Sequence, residues 1–231
     1  YYPFFLKKFD AFLSVGQRNR AYLKSFGIRD EKIIFSPHAV NQAFWKGERK
    51  QSEVFTFLWV GKFIEKKRPL DVIEAFQKLE NSSKNIQLKL IGTGPLFEVC
   101  QKEASNQPNI HFLGFKNQTE LREEYLKADA LILSSDYRET WGLVVNEGFA
   151  AGIPAIVSDA CGCDPDLIDE NTGIIYETGN VVALQKAMQE MAVKLSIPEE
   201  KANISTAISK KNEVYSYEGV VESFVHFGSA Q

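Results

Sequence analysis

Two glutamates stand eight positions apart around the start of a predicted helix. Glu139 precedes the helix and Glu147 lies in its second turn. At the helix start, Gly142, Leu143 and Val144 would present backbone N–H groups without intrahelical partners, and such groups bind anions with the help of the helix dipole. An anion site between two carboxylates suits a phosphorylated sugar, whose hydroxyl groups can donate hydrogen bonds to them. A helix capped by acidic residues has the same pattern, so the spacing alone leaves both interpretations open.

Segment 61–68 is a second candidate for chemistry, because four of its eight residues are basic. It follows a predicted buried strand, and a lysine there supplies a compact charge that can approach a phosphate. A solvated surface run of charges has the same composition, so both interpretations stay open. After the next strand, Gly92 and Gly94 allow a ligand to approach the backbone closely. An ordinary turn accounts for them equally well, since Phe97 stands where a dinucleotide fingerprint has its third glycine.

Composition narrows the classes of function. The chain has 231 residues, of which 44% are hydrophobic and 25% charged, as is typical of a globular protein. A formal net charge of −3 does not indicate general attraction to nucleic acid. No apolar run approaches the roughly 18 residues that a membrane span needs.

The cysteines are few: Cys100, Cys161 and Cys163. A sparse, odd number argues against a disulfide framework and fits a reducing compartment. Zinc needs about four ligands, and no second cluster of cysteine or histidine lies near the 161–163 pair, so we predict no metal site. The chain begins at Tyr1 rather than at a methionine, and no signal-peptide pattern is visible, so we expect that it starts within a longer protein.

Strands and helices that alternate regularly must position these candidates. Strands are predicted over 54–60, 86–91, 110–113, 130–133, 154–157 and 173–176, and helices over 69–79, 96–104, 120–127, 143–151, 181–195, 198–211 and 217–227. This alternation predicts an α/β fold with a doubly wound, parallel, six-stranded sheet. Ligands of such sheets bind outside the carboxyl ends of the strands, where both candidate segments lie.

Residues 1–50 do not follow this alternation. Short strand-like runs over 11–15 and 33–35 flank a predicted helix over 17–26, which Gly27 terminates. The polar stretch 46–53 has the composition of a linker. The N-terminal part is therefore expected to be separate from the large sheet.

Residues 139–158 resemble the E-x7-E signature of the group 1 (family 4) retaining glycosyltransferases. In that family a glutamate, an aromatic residue, Gly-Leu and a second glutamate are followed by A-x-G-x-P-V-I-x-S. Other segments resemble further elements of the family, in order and at matching spacing: Val60-Gly61-Lys62-Phe63 with Lys67-Arg68-Pro69, Phe112-Leu113-Gly114-Phe115, residues 126–130, residues 161–168, and the interdomain segment 36–41. The likeness covers about residues 12–227.

This resemblance implies the GT-B architecture, in which two Rossmann-like domains face each other and the C-terminal one holds the donor. Residues 1–45 would be a remnant of the N-terminal, acceptor-binding domain with the linker. Residues 46–231 would be the nucleotide-sugar-binding domain with C-terminal helices. The implied activity moves a sugar from a nucleoside-diphosphate sugar to a saccharide or lipid-linked acceptor, with retention of the anomeric configuration and without a metal or other cofactor.

The resemblance also implies a set of donor-binding residues: Gly61, Lys62, Lys67, Gly114, Phe115, Glu139, Gly142, Leu143, Val144 and Glu147, of which Glu139, Glu147 and Lys67 form the catalytic group. Lys62 and Lys67 would bind the diphosphate, and the N–H groups of residues 142–144 its distal phosphate. Glu139 would hold sugar hydroxyls and Glu147 the ribose hydroxyls. Gly114 and Phe115 would frame the base.

The sequence departs from the family pattern at two of these elements. Lys62 stands where arginine is usual, and a lysine lacks the guanidinium group that can donate two parallel hydrogen bonds to one phosphate. Ser134 stands where proline is usual. Both departures weaken the inference of a particular substrate more than they weaken the inference of family membership.

Two other functions remain as alternatives. One is a nucleotide-sugar-binding module without transfer activity. The other is a nicotinamide-dependent dehydrogenase, against which the missing G-x-G-x-x-G after the first strand argues. By family habit, the parent protein is expected to be cytoplasmic, with peripheral association at the inner face of a membrane, to act in polysaccharide or glycolipid assembly, and to bind no nucleic acid.

Overall fold

A computed structural model describes residues 2–6, 8–50, 52–80 and 85–229. The first elements are α1 (Tyr2–Leu6), β1 (Phe12–Ser14), α2 (Gln17–Ser25), β2 (Ile33–Phe35) and α3 (Gln42–Trp45). Strands β1 and β2 pair in parallel as a separate two-stranded sheet. A small apolar cluster lies beneath it and contains Leu6, Leu23, Ile28 and Ile33.

Six further strands form the large sheet: β3 (Phe55–Val60), β4 (Ile86–Ile91), β5 (Ile110–Phe112), β6 (Ala130–Leu133), β7 (Ala155–Ser158) and β8 (Gly173–Tyr176). They pair in parallel in the order β5-β4-β3-β6-β7-β8, so the direction of winding reverses between β3 and β6. Every residue of β6 and β7 is buried, as expected for strands covered on both faces. The predicted doubly wound, six-stranded sheet is confirmed.

The helices that follow are α4 (Pro69–Glu80), α5 (Phe97–Glu103), α6 (Gln118–Lys127), α7 (Leu143–Ala150), α8 (Asp164–Leu167), α9 (Val181–Ser196), α10 (Pro198–Val214) and α11 (Tyr217–Ser229). Alternate residues of β3 face opposite layers: Phe57 and Trp59 pack with α4, α5 and α9, whereas Leu58 packs with α6, α7 and α10. None of the helices in the described ranges has the length and apolarity needed to cross a membrane.

Some element boundaries differ from the sequence prediction for local reasons. Helix α6 begins at Gln118 rather than at residue 120, because Asn117 and Glu120 form a capping box with two hydrogen bonds of 3.0 Å. The short helices α1, α3 and α8 were not predicted. Helix α3 has only four residues, too few to show a periodic apolar pattern.

The N-terminal segment and the last helix contact each other. Helix α11 packs against β2, and the hydroxyl groups of Ser223 and Ser36 are 2.9 Å apart. Trp45 at the end of α3 packs edge-on against Tyr125 of α6, with ring centroids 5.3 Å apart. These contacts cross the predicted boundary between residues 1–45 and residues 46–231. The boundary itself stays a prediction.

One glycine lets the loop after β7 approach the loop after β6. The Gly162 N–H donates to the Glu139 carbonyl at 2.9 Å, and the Cys163 N–H donates to the Trp141 carbonyl at 3.1 Å. A Cβ atom at position 162 would overlap the carbonyl group of Thr140. A glycine at this position is required for the two loops to pack together.

We expect Gly162→Ala to lower the free energy of unfolding by roughly 3 kcal/mol, because rigid backbone must move aside. Gly152→Ala is the control: its Cβ would meet nothing within 4 Å, but its φ of +77° is left-handed. That variant should lose only about 1–2 kcal/mol. Urea unfolding measures both, and equal losses would show that the contact at Gly162 is easily relieved.

Candidate functional site

Three glycines bring the carboxyl ends of β3, β4 and β5 together. The Gly92 N–H donates to the Gly114 carbonyl at 2.8 Å. Gly92 has a φ of +132°, and a Cβ there would overlap the carbonyl oxygen of Gly61. The predicted residues Gly61 and Gly114 thus lie on either side of Gly92. Phe115 follows as an exposed side chain, with 76% of its surface accessible.

The basic loop meets the first glutamate. Lys66 and Lys67 belong to a short 3₁₀ helix, Glu65–Lys67. The Lys67 ammonium forms an ion pair with Glu139, and the Lys66 ammonium lies 3.7 Å from the same carboxylate oxygen. The side chains of Lys67 and Glu139 are largely buried, so the pair is shielded from solvent. The structure therefore brings together two of the predicted catalytic residues, Lys67 and Glu139, and places the Lys66 ammonium beside them.

Lys62 is placed differently. Its side chain is exposed, and it forms no ion pair with any residue in the described ranges. The charge of Lys62 is therefore uncommitted at the edge of the loop, whereas that of Lys67 is compensated.

Helix α7 begins with free N–H groups, as the sequence predicts. Gly142 precedes it in a left-handed conformation, with φ of 114° and ψ of 60°, and no side chain caps the helix. Within the described part of the chain, no acceptor is bonded to the N–H groups of Gly142, Leu143 or Val144. A Cβ at position 142 would come within 2.5 Å of Leu133 at the end of β6. The leucine methyl group can move aside, so the φ of Gly142, which residues with a side chain rarely adopt, is the stronger reason for a glycine here.

Side chains behind α7 hold its first turns in place. Trp141 donates from its indole nitrogen to Asn146 Oδ1 at 2.8 Å, and Asn146 Nδ2 donates to the His38 carbonyl at 3.2 Å. The imidazole ring of His38 packs edge-on against Trp141, with centroids 5.5 Å apart. Burial lowers the pKa of His38, which keeps the ring neutral at this contact. His38 is thus a packing residue behind the helix.

Glu147 has a different environment from Glu139. The Tyr125 hydroxyl donates to Glu147 Oε2 at 2.9 Å and lies 3.3 Å from the Val144 carbonyl. Burial raises the pKa of Glu147 to about 7, and the hydrogen bond from Tyr125 offsets part of this rise. Burial, with Glu147 nearby, raises the pKa of Tyr125 far above its usual value, so the tyrosine remains a donor.

Tyr125 is a contact that the sequence did not indicate. It comes immediately before the segment 126–130 that resembles the family, and no local pattern identifies an aromatic hydroxyl as the partner of a glutamate 22 positions later. Its contact arises only when α6 and α7 pack side by side on one face of the sheet.

No metal cluster is evident in the described residues: no three side chains of His, Cys, Asp or Glu gather there. Cys161 and Cys163 are free thiols in the core. Burial raises the pKa of Cys161 to about 12, so its sulfur stays protonated and lies 3.7 Å from the Ser135 carbonyl. The 161–163 pair is a packing element.

Two cavities lie away from the predicted donor-binding residues. One of about 610 Å³ is bounded by α3, the end of α7 and α10. Another of about 690 Å³ lies between β2 and α11. Neither is lined by any of the predicted donor-binding residues.

Proteins of several bacteria are similar to this chain in sequence. A profile of the family described as glycosyl transferases group 1 matches residues 41–210. The chain is similar to the O-antigen biosynthesis glycosyltransferase WbnH of Escherichia coli, with 32% identity over 155 residues, which are 67% of this chain and 42% of that protein. The chain spans less than half the length of this relative.

Solved structures share the fold. A glycosyltransferase from Rickettsia africae superposes with a TM-score of 0.82 at 18% identity, over 96% of this chain and 65% of that one. Anabaena HepE in complex with UDP superposes with a TM-score of 0.80 at 15% identity, over 96% of this chain and 64% of that one. The architecture is that of the GT-B glycosyltransferases. Because the family profile covers most of its length, the chain belongs to the group 1 glycosyl transferases.

Proposed function

We propose that this chain holds the donor of a retaining glycosyltransferase, a nucleoside-diphosphate sugar. The observation that carries the proposal is the start of α7, where three backbone N–H groups have no acceptor among the described residues. The glutamates predicted to flank it have distinct partners: Glu139 pairs with lysines and Glu147 with a tyrosine. A diphosphate would supply the negative charge that the free N–H groups bind. The hydroxyl groups of the transferred sugar and of the ribose would donate hydrogen bonds to the two carboxylates.

The distal phosphate would lie against the N–H groups of residues 142–144. Negative charge grows on that phosphate as the sugar leaves, and preorganised N–H dipoles with the Lys67 ammonium stabilise it. No metal is needed in this arrangement, because backbone dipoles and lysines supply the positive potential. Lys62, with its free charge, would approach the diphosphate from the outer edge of the loop.

Binding of the diphosphate would change the partner of Lys67. Without a ligand, the Lys67 ammonium is held by Glu139. A phosphate near the start of α7 competes for that ammonium, and the Glu139 carboxylate then becomes available to accept hydrogen bonds from the transferred sugar. In this way the donor itself would release the carboxylate that holds its sugar.

The nucleoside would occupy the other side of the site. Glu147 would accept hydrogen bonds from ribose hydroxyls, and the backbone of Gly114 with the exposed Phe115 would frame the base. Gly61 would let the diphosphate approach the end of β3. The UDP bound to HepE, which has the same fold, supports a nucleoside diphosphate as the ligand class.

The acceptor, a saccharide or a lipid-linked one, would bind outside the part that this chain shares with its relatives. The chain spans 42% of WbnH, so the transfer reaction is proposed for the parent protein rather than for these residues alone. A module that binds nucleotide sugars without transferring them has the same donor site. Assay of the full-length parent with donor and acceptor panels separates the two.

Calorimetric titration of the chain with UDP, GDP, ADP and NAD tests the proposal. At least one nucleoside diphosphate should bind, with the same Kd in EDTA, whereas NAD should not. At 100 times its Kd, that nucleotide should raise the free energy of unfolding by about 2.7 kcal/mol. If none of the diphosphates binds, or if NAD alone does, the proposal fails.

Replacing Glu139 should separate diphosphate binding from sugar binding. In Glu139→Gln the Lys67 ammonium loses its partner, so the tightest-binding nucleoside diphosphate should bind as well as before or better. Its glucose, galactose or N-acetylglucosamine ester should lose about tenfold in affinity relative to the diphosphate, because a charged acceptor for the hydroxyls is gone.

Glu65→Gln is the matched control for this substitution. Glu65 lies in the 3₁₀ helix that contains Lys66 and Lys67. Its side chain is exposed and forms an ion pair with neither of these lysines. Both affinities should remain at the wild-type value. Parallel losses for diphosphate and sugar ester in Glu139→Gln would contradict the assigned role.

Nucleotide binding should depend on pH through Glu147, whose pKa burial raises to about 7. The ionised carboxylate accepts the ribose hydroxyls, so affinity should increase from about pH 6 to about pH 8 and then level off. Glu147→Gln should bind more weakly and keep only the pH dependence of the nucleotide itself. Titration at a series of pH values decides this, and an identical pH profile in the variant would argue against a role for Glu147.

The same group gives the opposite trend in the free chain. Its pKa in the folded state lies above the ordinary value of 4.5, so the folded state binds the proton more tightly. The free energy of unfolding should therefore fall as the pH rises from about 4.5 to about 7, and Glu147→Gln should lack this contribution. Urea unfolding across this range measures it.

A further inference from the structure

Ser134, which departs from the family pattern, connects the two loops of the proposed donor site. It follows β6 directly and is fully buried. Its hydroxyl oxygen accepts a hydrogen bond from the Trp59 indole nitrogen at 3.0 Å and donates one to the Lys67 carbonyl at 2.7 Å. One side chain thus joins β3, the end of β6 and the basic loop.

The hydroxyl is required by its buried neighbour. Trp59 is 1% exposed, and its indole N–H needs an acceptor because an unpaired buried donor is unfavourable. A proline at position 134 would offer no hydroxyl for this N–H and none for the Lys67 carbonyl. The hydroxyl of Ser134 therefore satisfies a buried donor that a proline at this position would leave unpaired.

A second hydrogen bond strengthens the connection. The Asp136 N–H donates to the Lys66 carbonyl at 2.9 Å. Arg68, which follows Lys67, has a φ of 48°, a left-handed conformation that a non-glycine residue adopts only when its surroundings hold it there. The loop that follows β6 holds the carbonyl groups of both lysines, just before this strained residue.

The backbone contact matters because the side-chain contact is temporary under the proposed function. The Lys67–Glu139 ion pair must open when a diphosphate takes over the ammonium. From then on, the ion pair no longer restrains the lysine, whereas the bond from Ser134 to its carbonyl persists. The loop can therefore keep its place while the side chain changes partner.

We propose that Ser134 is a positioning residue that fixes the Lys66–Lys67 segment, and with it the Lys67 ammonium, relative to the start of α7. This inference rests on the proposed role of Lys67 in diphosphate binding. Ser134 is buried and would not itself contact the diphosphate. Its effect is on the diphosphate and not on the nucleoside.

Thr56 offers a matched control on the same strand as Trp59. Its hydroxyl is buried and bridges in the same manner, accepting from Gln87 Nε2 at 2.7 Å and lying 3.3 Å from the Val54 carbonyl. It stands near the amino end of β3, away from the loops of the site. Thr56→Val removes a comparable buried hydroxyl without touching the basic loop.

Hydrogen exchange in the ligand-free chain tests the positioning alone. In Ser134→Ala, the amides of residues 64–68 should exchange about tenfold faster than in the wild type. The reason is that losing one hydrogen bond should raise the equilibrium constant for local opening about tenfold. Thr56→Val should leave that segment unchanged. If Ser134→Ala does not fold, the double variant Trp59→Phe with Ser134→Ala removes the unpaired donor as well and takes its place. Unchanged exchange in a folded variant overturns the proposal, whatever the chain binds.

Affinity gives the second measurement, with the tightest nucleoside diphosphate among UDP, GDP and ADP and the matching nucleoside. Ser134→Ala should weaken the diphosphate by about tenfold and leave the nucleoside within about twofold. Thr56→Val should leave both at the wild-type value. Equal loss for diphosphate and nucleoside would show a general structural effect and overturn the proposal. If the wild type binds no diphosphate, the proposed function fails, and hydrogen exchange still decides whether Ser134 holds the loop.

Discussion

The backbone N–H groups at the start of α7 are a site only while the protein itself offers them no acceptor. A parallel sheet provides this condition where its winding reverses, between β3 and β6, because the connections on either side lead away from each other. Helix α7 starts from the loop that follows β6, in this gap. Gly142 stands at this start with a φ of +114°, a conformation that residues with a side chain rarely adopt. The open helix start is therefore a consequence of strand order and of a glycine where the helix begins.

Charge around that helix start is divided between two unlike carboxyl groups. Glu139 lies against two ammonium groups, which compensate it. Glu147 has no ammonium partner among the described residues and is buried beside a tyrosine, so its pKa rises to about 7. The same residue type thus gives one carboxylate that is paired with lysines and one whose pKa lies near neutral pH. Two glutamates held in this way leave the positive end of the helix uncompensated and ready for an anion.

The sequence allowed the sheet, its helices and the position of α7 to be predicted, because these depend on periodic apolar residues and on glycine at a helix start. Glu139 and Lys67 could be placed at neighbouring strand ends by the same topology. The contacts of Tyr125 and Ser134 could not, since each joins residues far apart in the chain through a single hydroxyl. Short elements such as α3 and α8 were also missed, because four residues cannot show a period. What local patterns left undetermined is set by packing between elements.

The N-terminal segment forms hydrogen bonds with α8, the short helix that follows β7. Arg18 donates to both oxygens of Asp164 at 2.6 and 2.8 Å, and the Gln17 N–H donates to Asp166 at 3.0 Å.

A Cβ at Gly16 would come within 2.5 Å of the Asp166 carboxylate and 2.6 Å of Trp141, the residue that precedes Gly142. The start of α2 therefore contacts both α8 and the loop that precedes α7, while the His38 carbonyl accepts a hydrogen bond from Asn146 of α7. A shift of residues 16–18 must move α8 or Trp141 with it, because there is no space between them. The proposed donor site and the two-stranded N-terminal sheet consequently pack together, and the position of α7 depends on both.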